Sequence, residues 1–115
     1  MQTPSLILEK QPAAGGESLT ARLKGKLTVE TVQSFIAAIR PEPAAHLILD
    51  MSGLSFLDSA GVGALVTLFV SRRKQRKTLA LAALTVQSTA VLQVAGLLKL
   101  LPVYPSVEQA LVPRA

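Results

Sequence analysis

The chain of 115 residues carries a formal charge of +5, from twelve Lys/Arg against seven Asp/Glu, and half of its residues are apolar. That length suits one domain with a real core and leaves little room for a second folding unit. The lack of cysteine excludes disulfides and thiolate metal sites, and the N-terminal residues lack the basic start and long apolar core of a signal peptide, so a cytoplasmic location is the default expectation.

In chain order, Leu6 and Leu8 offer a short first strand. Leu19, Ala21 and Leu23 then alternate with Thr20, Arg22 and Lys24, as in a strand with one wet face. Between them Pro12 and the Gly15-Gly16 pair break any regular pattern, which predicts a hairpin. Gly25 closes the second strand. Thr28 can cap a helix in which Val29, Val32, Phe35, Ile36 and Ile39 recur at helical spacing, and the run Arg40-Pro41-Glu42-Pro43 stops it. His46 to Asp50 is short, aliphatic and bounded by turn residues, the pattern of a central strand buried on both faces. Met51 to Phe56 reads as a connector whose Leu54 and Phe56 pack down together with Leu57.

Asp58-Ser59 opens a helix to about Lys77, with Val62, Leu65, Val66, Phe69 and Arg73 on one side and a wet basic tail of Arg72, Arg73, Lys74, Arg76 and Lys77 at the end where the macrodipole favours cations. Its apolar run, Ala60 to Val70, is far short of the ~20 residues of a membrane span. Thr78 to Leu84 is a further apolar strand. Ser88 caps a short helix through Ala95, and Gly96 supplies the left-handed residue that ends it. Leu100 to Tyr104 adds an edge strand, where Pro102 is tolerated, and Ser106 with Gln109 has the spacing of a capping box for a last helix from Val107 to about Leu111. The predicted order is β-β-α-β-α-β-α-β-α. It implies one α/β domain over residues 1–115, with a mixed sheet of about five strands, parallel neighbours after the hairpin, and about four helices.

The stock of catalytic groups is thin. A lone histidine without cysteine cannot supply a usual zinc site, and Asp50, Asp58 and the scattered glutamates form no recognisable magnesium cluster. Numbering alone leaves Ser59 and His46 open as a hydrolytic pair, but no Gly-x-Ser-x-Gly elbow surrounds Ser59. Gly25-Lys26-Leu27-Thr28 lacks the spacing of a phosphate-binding loop. The positive charge raises a nucleic acid or an anionic membrane as partner. No aromatic platform interleaves the basic cluster, so a solvated helix end is preferred and direct nucleic-acid binding is set behind it. No cofactor is expected.

What remains is Asp58-Ser59 itself. Its ordinary explanation is a helix cap worth ~1 kcal/mol. Yet Ala60, Gly61, Gly63 and Ala64 are all small, and each glycine inside a helix costs about 1 kcal/mol against alanine. Small residues leave the helix start open to close approach by another molecule.

The segment HLILDMSGLSFLDSAGVGALV resembles the central motif of STAS domains, the family shared by anti-sigma factor antagonists and sulfate-transporter tails. LKGKLTVETV upstream and VLQVAGLLKLLPVYPSVEQAL downstream extend the resemblance over nearly the whole chain. It implies the STAS fold and no enzymatic activity. In antagonists of this type the serine after the motif aspartate is phosphorylated by an anti-sigma factor serine kinase, which places the modification at Ser59, leaves room for a serine phosphatase, and makes Thr28, Asp58, Ser59, Ala60, Gly61 and Gly63 the implied partner-binding positions. The chain has Thr28 where many antagonists carry aspartate, and it is more basic than many of them. A second reading is a STAS subunit regulating a transporter or signalling assembly, and a third is a basic nucleic-acid binder using Arg72 to Lys77.

Overall fold

The computed structural model describes residues 5–13 and 15–111. Its elements follow the predicted order: β1 Leu6–Pro12, β2 Ser18–Leu27, α1 Val32–Ile39, β3 His46–Leu57, α2 Ser59–Lys74, β4 Thr78–Ala82, α3 Val86–Val94, β5 Val103–Tyr104 and α4 Val107–Leu111. The strands lie side by side as β1-β2-β3-β4-β5, antiparallel between β1 and β2 and parallel elsewhere. Alternation then decides the layers. Leu19, Ala21 and Leu23 of β2, Leu47, Leu49 and Met51 of β3, and Leu79 and Leu81 of β4 are buried with Phe35 and Ile39 of α1, Val62, Leu65, Leu68 and Phe69 of α2, and Leu92 of α3. On the opposite face Thr20, Arg22, Asp50 and Ser52 line a groove of about 670 Å³ beside α4. As expected, β3 is central.

The departures from the sequence reading have local causes. β2 does not close at Gly25 but runs on to Leu27 through irregularities between Arg22 and Lys24 and between Gly25 and Lys26. Gly25 has φ +114°, and a Cβ there would overlap the Ser5 carbonyl oxygen, so glycine here bends the strand without ending it. Met51 to Phe56 is strand rather than connector. It pairs with β2 as far as Leu57, whereas β4 leaves β3 after Asp50. Phe56, expected to pack down, is 45% exposed.

Residues 28–31 form a turn, so α1 begins at Val32 and Thr31 is its N-cap residue; Val29 is left exposed. The Thr31 hydroxyl accepts from Thr28 N–H at 3.0 Å and donates to Lys26 O at 2.7 Å, which stiffens the turn. β4 stops at Ala82 because Ala83 turns to φ +57°. The cap of α3 is Thr85, which accepts from Ser88 N–H at 3.1 Å, while the Ser88 hydroxyl is buried without a partner among the described residues. Gly96, at φ +75°, and Ser106, which accepts from Gln109 N–H, behave as expected.

α2 ends at Lys74, three residues early, because Arg76 takes φ +60°. Arg72 is not part of a wet tail. It is 4% exposed, and its guanidinium donates to the carbonyls of Thr78, Glu42 and Ala44, joining the C-terminal end of α2 to β4 and the loop before β3. The buried Glu42 carboxylate accepts from Ala44 N–H and from Lys10 Nζ, each at 3.1 Å. Burial works to raise its pKa, but the Ala44 and Lys10 hydrogen bonds and the charges of Lys10 and Arg72 outweigh this and hold it below the usual carboxylate range. A depressed carboxylate contributes stability that is present above its unfolded value of about 4.3 and lost as pH falls through the lower folded value. Urea unfolding across that acid range should therefore show a shallower loss for Glu42→Gln than for wild type. Equal slopes would remove Glu42 from the acid response.

Candidate functional site

The C-terminal end of β3 delivers Leu57 to the edge of the sheet, and the chain turns there into α2. Asp58 is extended, with φ −107° and ψ −176°, and acts as the N-cap. Its two carboxylate oxygens do different jobs. Oδ1 accepts from Gly61 N–H at 2.9 Å, satisfying one orphan donor of the helix start, and Oδ2 accepts from Val29 N–H at 3.0 Å, fastening the β2–α1 turn to the same point. Asp58 N–H donates back to Leu27 O at 3.3 Å. One side chain thus holds together the end of β2, the turn after it and the start of α2.

Ser59 is the first residue of α2 and is exposed. Its hydroxyl has no hydrogen-bond partner among the described residues, since capping falls to Asp58. Ala60 is half-buried beside it. Thr28 stands next to Val29 in the fastened turn; it is 9% exposed, and both Thr31 N–H and Val32 N–H donate to its carbonyl. Gly61 and Gly63 differ. Gly61 is buried against β2, where a Cβ would overlap the Leu27 carbonyl oxygen and come within 2.7 Å of Leu57 Cδ1, so its smallness serves the internal fit. Gly63 is exposed, with nothing within 4 Å of a Cβ placed there.

His46 begins β3 and Ser59 follows its far end. Eleven steps of about 3.3 Å put roughly 35 Å between them, so the Ser-His pairing left open by numbering does not form. The described residues contain no group of three or more His, Asp or Glu able to hold a metal ion.

Sequence reasoning missed the other support of this site. Gln87, near the start of α3, donates through Nε2 to Leu57 O at 2.8 Å and accepts through Oε1 from Leu57 N–H at 2.9 Å. It takes the place of a neighbouring strand where β4 has already ended. No local signal marks it, because a glutamine one residue into a helix is ordinary until β3 is known to overshoot β4. Three exposed apolar side chains lie on the segments joined here: Val29, 67% exposed and bonded through its N–H to Asp58; Phe56 before Leu57; and Val86, 90% exposed, beside Gln87.

Central parallel strands under three helices, and an α2 start locked by Asp58 to the β2–α1 turn, define an α/β domain of the STAS type. The chain belongs to the STAS domain family: the family's profile matches residues 7–110. That family is non-enzymatic. Among solved structures, an anti-sigma factor antagonist from Mycobacterium paratuberculosis superposes with a TM-score of 0.77 at 20% identity, covering 93% of this chain and 92% of that one. The anti-sigma factor antagonist SpoIIAA in its unphosphorylated form gives 0.72 at 24% identity, covering 92% of each chain; the phosphorylated form of the Bacillus protein gives 0.66 at 24%, covering 92% and 96%. A sulfate transporter family protein from Wolinella succinogenes gives 0.74 at 19% identity, covering 89% and 86%. At these identities the likeness is one of fold.

Proposed function

We propose that this protein is an anti-sigma factor antagonist that binds an anti-sigma factor serine kinase while Ser59 is unmodified and is released when Ser59 is phosphorylated, thereby regulating sigma-factor-dependent transcription. The observation that carries the reading is the division of labour at the helix start. Asp58 makes the cap, and the Ser59 hydroxyl beside it is exposed and free to react. In the transfer, the serine oxygen attacks the γ-phosphorus of ATP, the bond to the β–γ bridging oxygen breaks, and ADP leaves with the hydroxyl proton released to solvent. Val29, Phe56, Ala60, Val86 and Gly63 are the apolar part of the contact, and Thr28 and Asp58 hold its shape.

Phosphate adds about −1.5 to −2 charges at the N-terminus of α2, where the helix dipole favours it by about 0.3 to 1 kcal/mol, so the free domain stays folded. Under a bound partner the same charge must be desolvated among apolar side chains. An uncompensated buried charge costs roughly 2 to 5 kcal/mol, about thirtyfold to several thousandfold in affinity. Modification acts as a release switch. The expected results are phosphate transfer from ATP by a purified anti-sigma serine kinase, its loss in Ser59→Ala, and calorimetric affinity at least about thirtyfold weaker for Ser59→Asp with unchanged circular dichroism. Equal affinities would remove Ser59 from the switch. A STAS subunit that regulates a transporter would instead use this helix end as a constant contact, with no phosphate transferred to it.

A further inference from the structure

We infer that the end of the domain opposite Ser59 is a docking surface for an anionic lipid bilayer. α1 and α2 both run from the C-terminal to the N-terminal ends of the parallel strands and pack on each other, so their last residues share that end. It presents Arg40, Arg73, Lys74 and Arg76, all exposed, with Lys77 half-buried. None of these five is in an ion pair among the described residues. The carboxylates on neighbouring segments are Glu42, buried and already held by Lys10, and Glu17, which is exposed beside His46 and offsets one of the five charges. Arg72 is excluded, because it points inward. The excess charge of the chain is therefore concentrated here rather than spread over the surface.

The backbone supplies a second observation. Arg76, at φ +60°, follows the end of α2 in the left-handed region, with Lys77 N–H donating to Arg72 O and Arg76 N–H to Arg73 O. Glycine is the usual occupant of such a position, because a Cβ is disfavoured there. Arg76 stands at this position, exposed at the helix end where the macrodipole favours a cation.

The exposed apolar residues of this end select lipid over nucleic acid. Val70, 44% exposed, lies one turn before Arg73 and Lys74 on α2, and Val94, 90% exposed, ends α3, which runs the same way. The Phe69 ring is 8% exposed beneath the Arg73 guanidinium, whose carbon is 5.6 Å from the ring centroid. That leaves the small His46 ring, tied to the Thr78 hydroxyl at 2.8 Å, as the exposed ring of this end among the described residues, a poor platform for successive bases. Cations at headgroup level with aliphatic side chains reaching the acyl boundary is the pattern of a protein that lies on a bilayer. No described helix is long and apolar enough to cross one. The sixteen residues of α2 separate the two ends by about 24 Å, more than twice the Debye length at ordinary salt, so lipid docking would leave Ser59 facing away from the membrane and electrostatically independent of it.

Sedimentation with vesicles tests this. The wild-type protein should pellet with phosphatidylcholine–phosphatidylglycerol vesicles, be released by salt, and stay in solution with phosphatidylcholine alone. Each cation near such a surface contributes about fivefold, so replacing Arg73, Lys74, Arg76 and Lys77 together by glutamine should weaken binding by several hundredfold, with circular dichroism and phosphate acceptance at Ser59 retained. Arg76→Gly should keep or raise the melting temperature while weakening vesicle binding about fivefold, which separates the charge from any structural role. Equal pelleting with both vesicle types, wild-type pelleting by the fourfold variant, or tighter binding to duplex DNA than to anionic vesicles would overturn the proposal. None of these outcomes bears on Ser59, whose switch stands or falls by phosphate transfer.

Discussion

Gly61→Ala should lower the stability of this domain by about 2 to 3 kcal/mol, while Gly63→Ala, two residues on in the same helix, should raise it by up to about 1 kcal/mol. The difference comes from what each position faces. At residue 61 a methyl group would overlap the Leu27 carbonyl oxygen, which is backbone and already accepts from Asp58 N–H, and would also press on Leu57 Cδ1 at 2.7 Å and Leu27 Cγ at 3.1 Å. Neither β2 nor α2 can give way without moving the other. Displacing α2 outward would also pull Asp58 from Val29, so the Ser59 surface should lose its shape along with the stability. Residue 63 faces open space, and alanine there recovers the propensity that glycine forfeits. Urea denaturation of the two variants reads the contrast directly. Equal changes of the same sign would show that the close approach at Gly61 is not what fixes α2 against β2.

Arg72→Ala should cost about 3 kcal/mol or more, although its neighbour Lys74→Ala should stay within about 0.5 kcal/mol of wild type. Sequence places both in the same basic run. In the structure Arg72 donates to three carbonyls, Nε to Thr78 O at 2.8 Å, six residues on at the start of β4, and Nη1 to Glu42 O at 3.3 Å and Nη2 to Ala44 O, about thirty residues back. Removing it takes a donor from the Glu42 carbonyl, whose bond is buried and costs about 1 to 3 kcal/mol to lose, and from the part-buried Thr78 and Ala44 carbonyls, and it also opens the space its stem fills. Burial pushes the guanidinium pKa down and the Glu42 charge opposes this; the group remains cationic at any working pH. Arg72→Lys should recover only part of the loss, because one ammonium cannot address three carbonyls in the plane of a guanidinium. Thermal and urea unfolding of the three variants measure the series. An Arg72→Ala domain as stable as Lys74→Ala would mean that water satisfies these carbonyls.

The order of elements, the central strand His46 to Asp50, the helix opened by Asp58-Ser59 and the small last helix after Ser106 were all legible in the sequence. They rest on local physics: side-chain periodicity of 2 or 3.6, turn residues that cannot sit in a strand, and short polar side chains that satisfy helix termini. The motif around Ser59 was legible for the same reason, being one contiguous stretch. Tertiary structure decided everything that depends on which segments meet. Whether Gly61 serves a partner or the protein's own β2 turns on where the Leu27 carbonyl lies, thirty-four positions earlier in the chain. Gln87 becomes a support of the site only because β3 continues seven residues beyond its pairing with β4 and leaves Leu57 with unmatched backbone groups. Arg72 leaves the surface because helix periodicity carries it, unlike Arg73 and Lys74, to the side where three foreign carbonyls converge. Charge and residue type are properties of the chain, but burial and hydrogen-bond partnership are properties of the packed fold, and only the latter separate the structural arginine from the cations that stay at the surface.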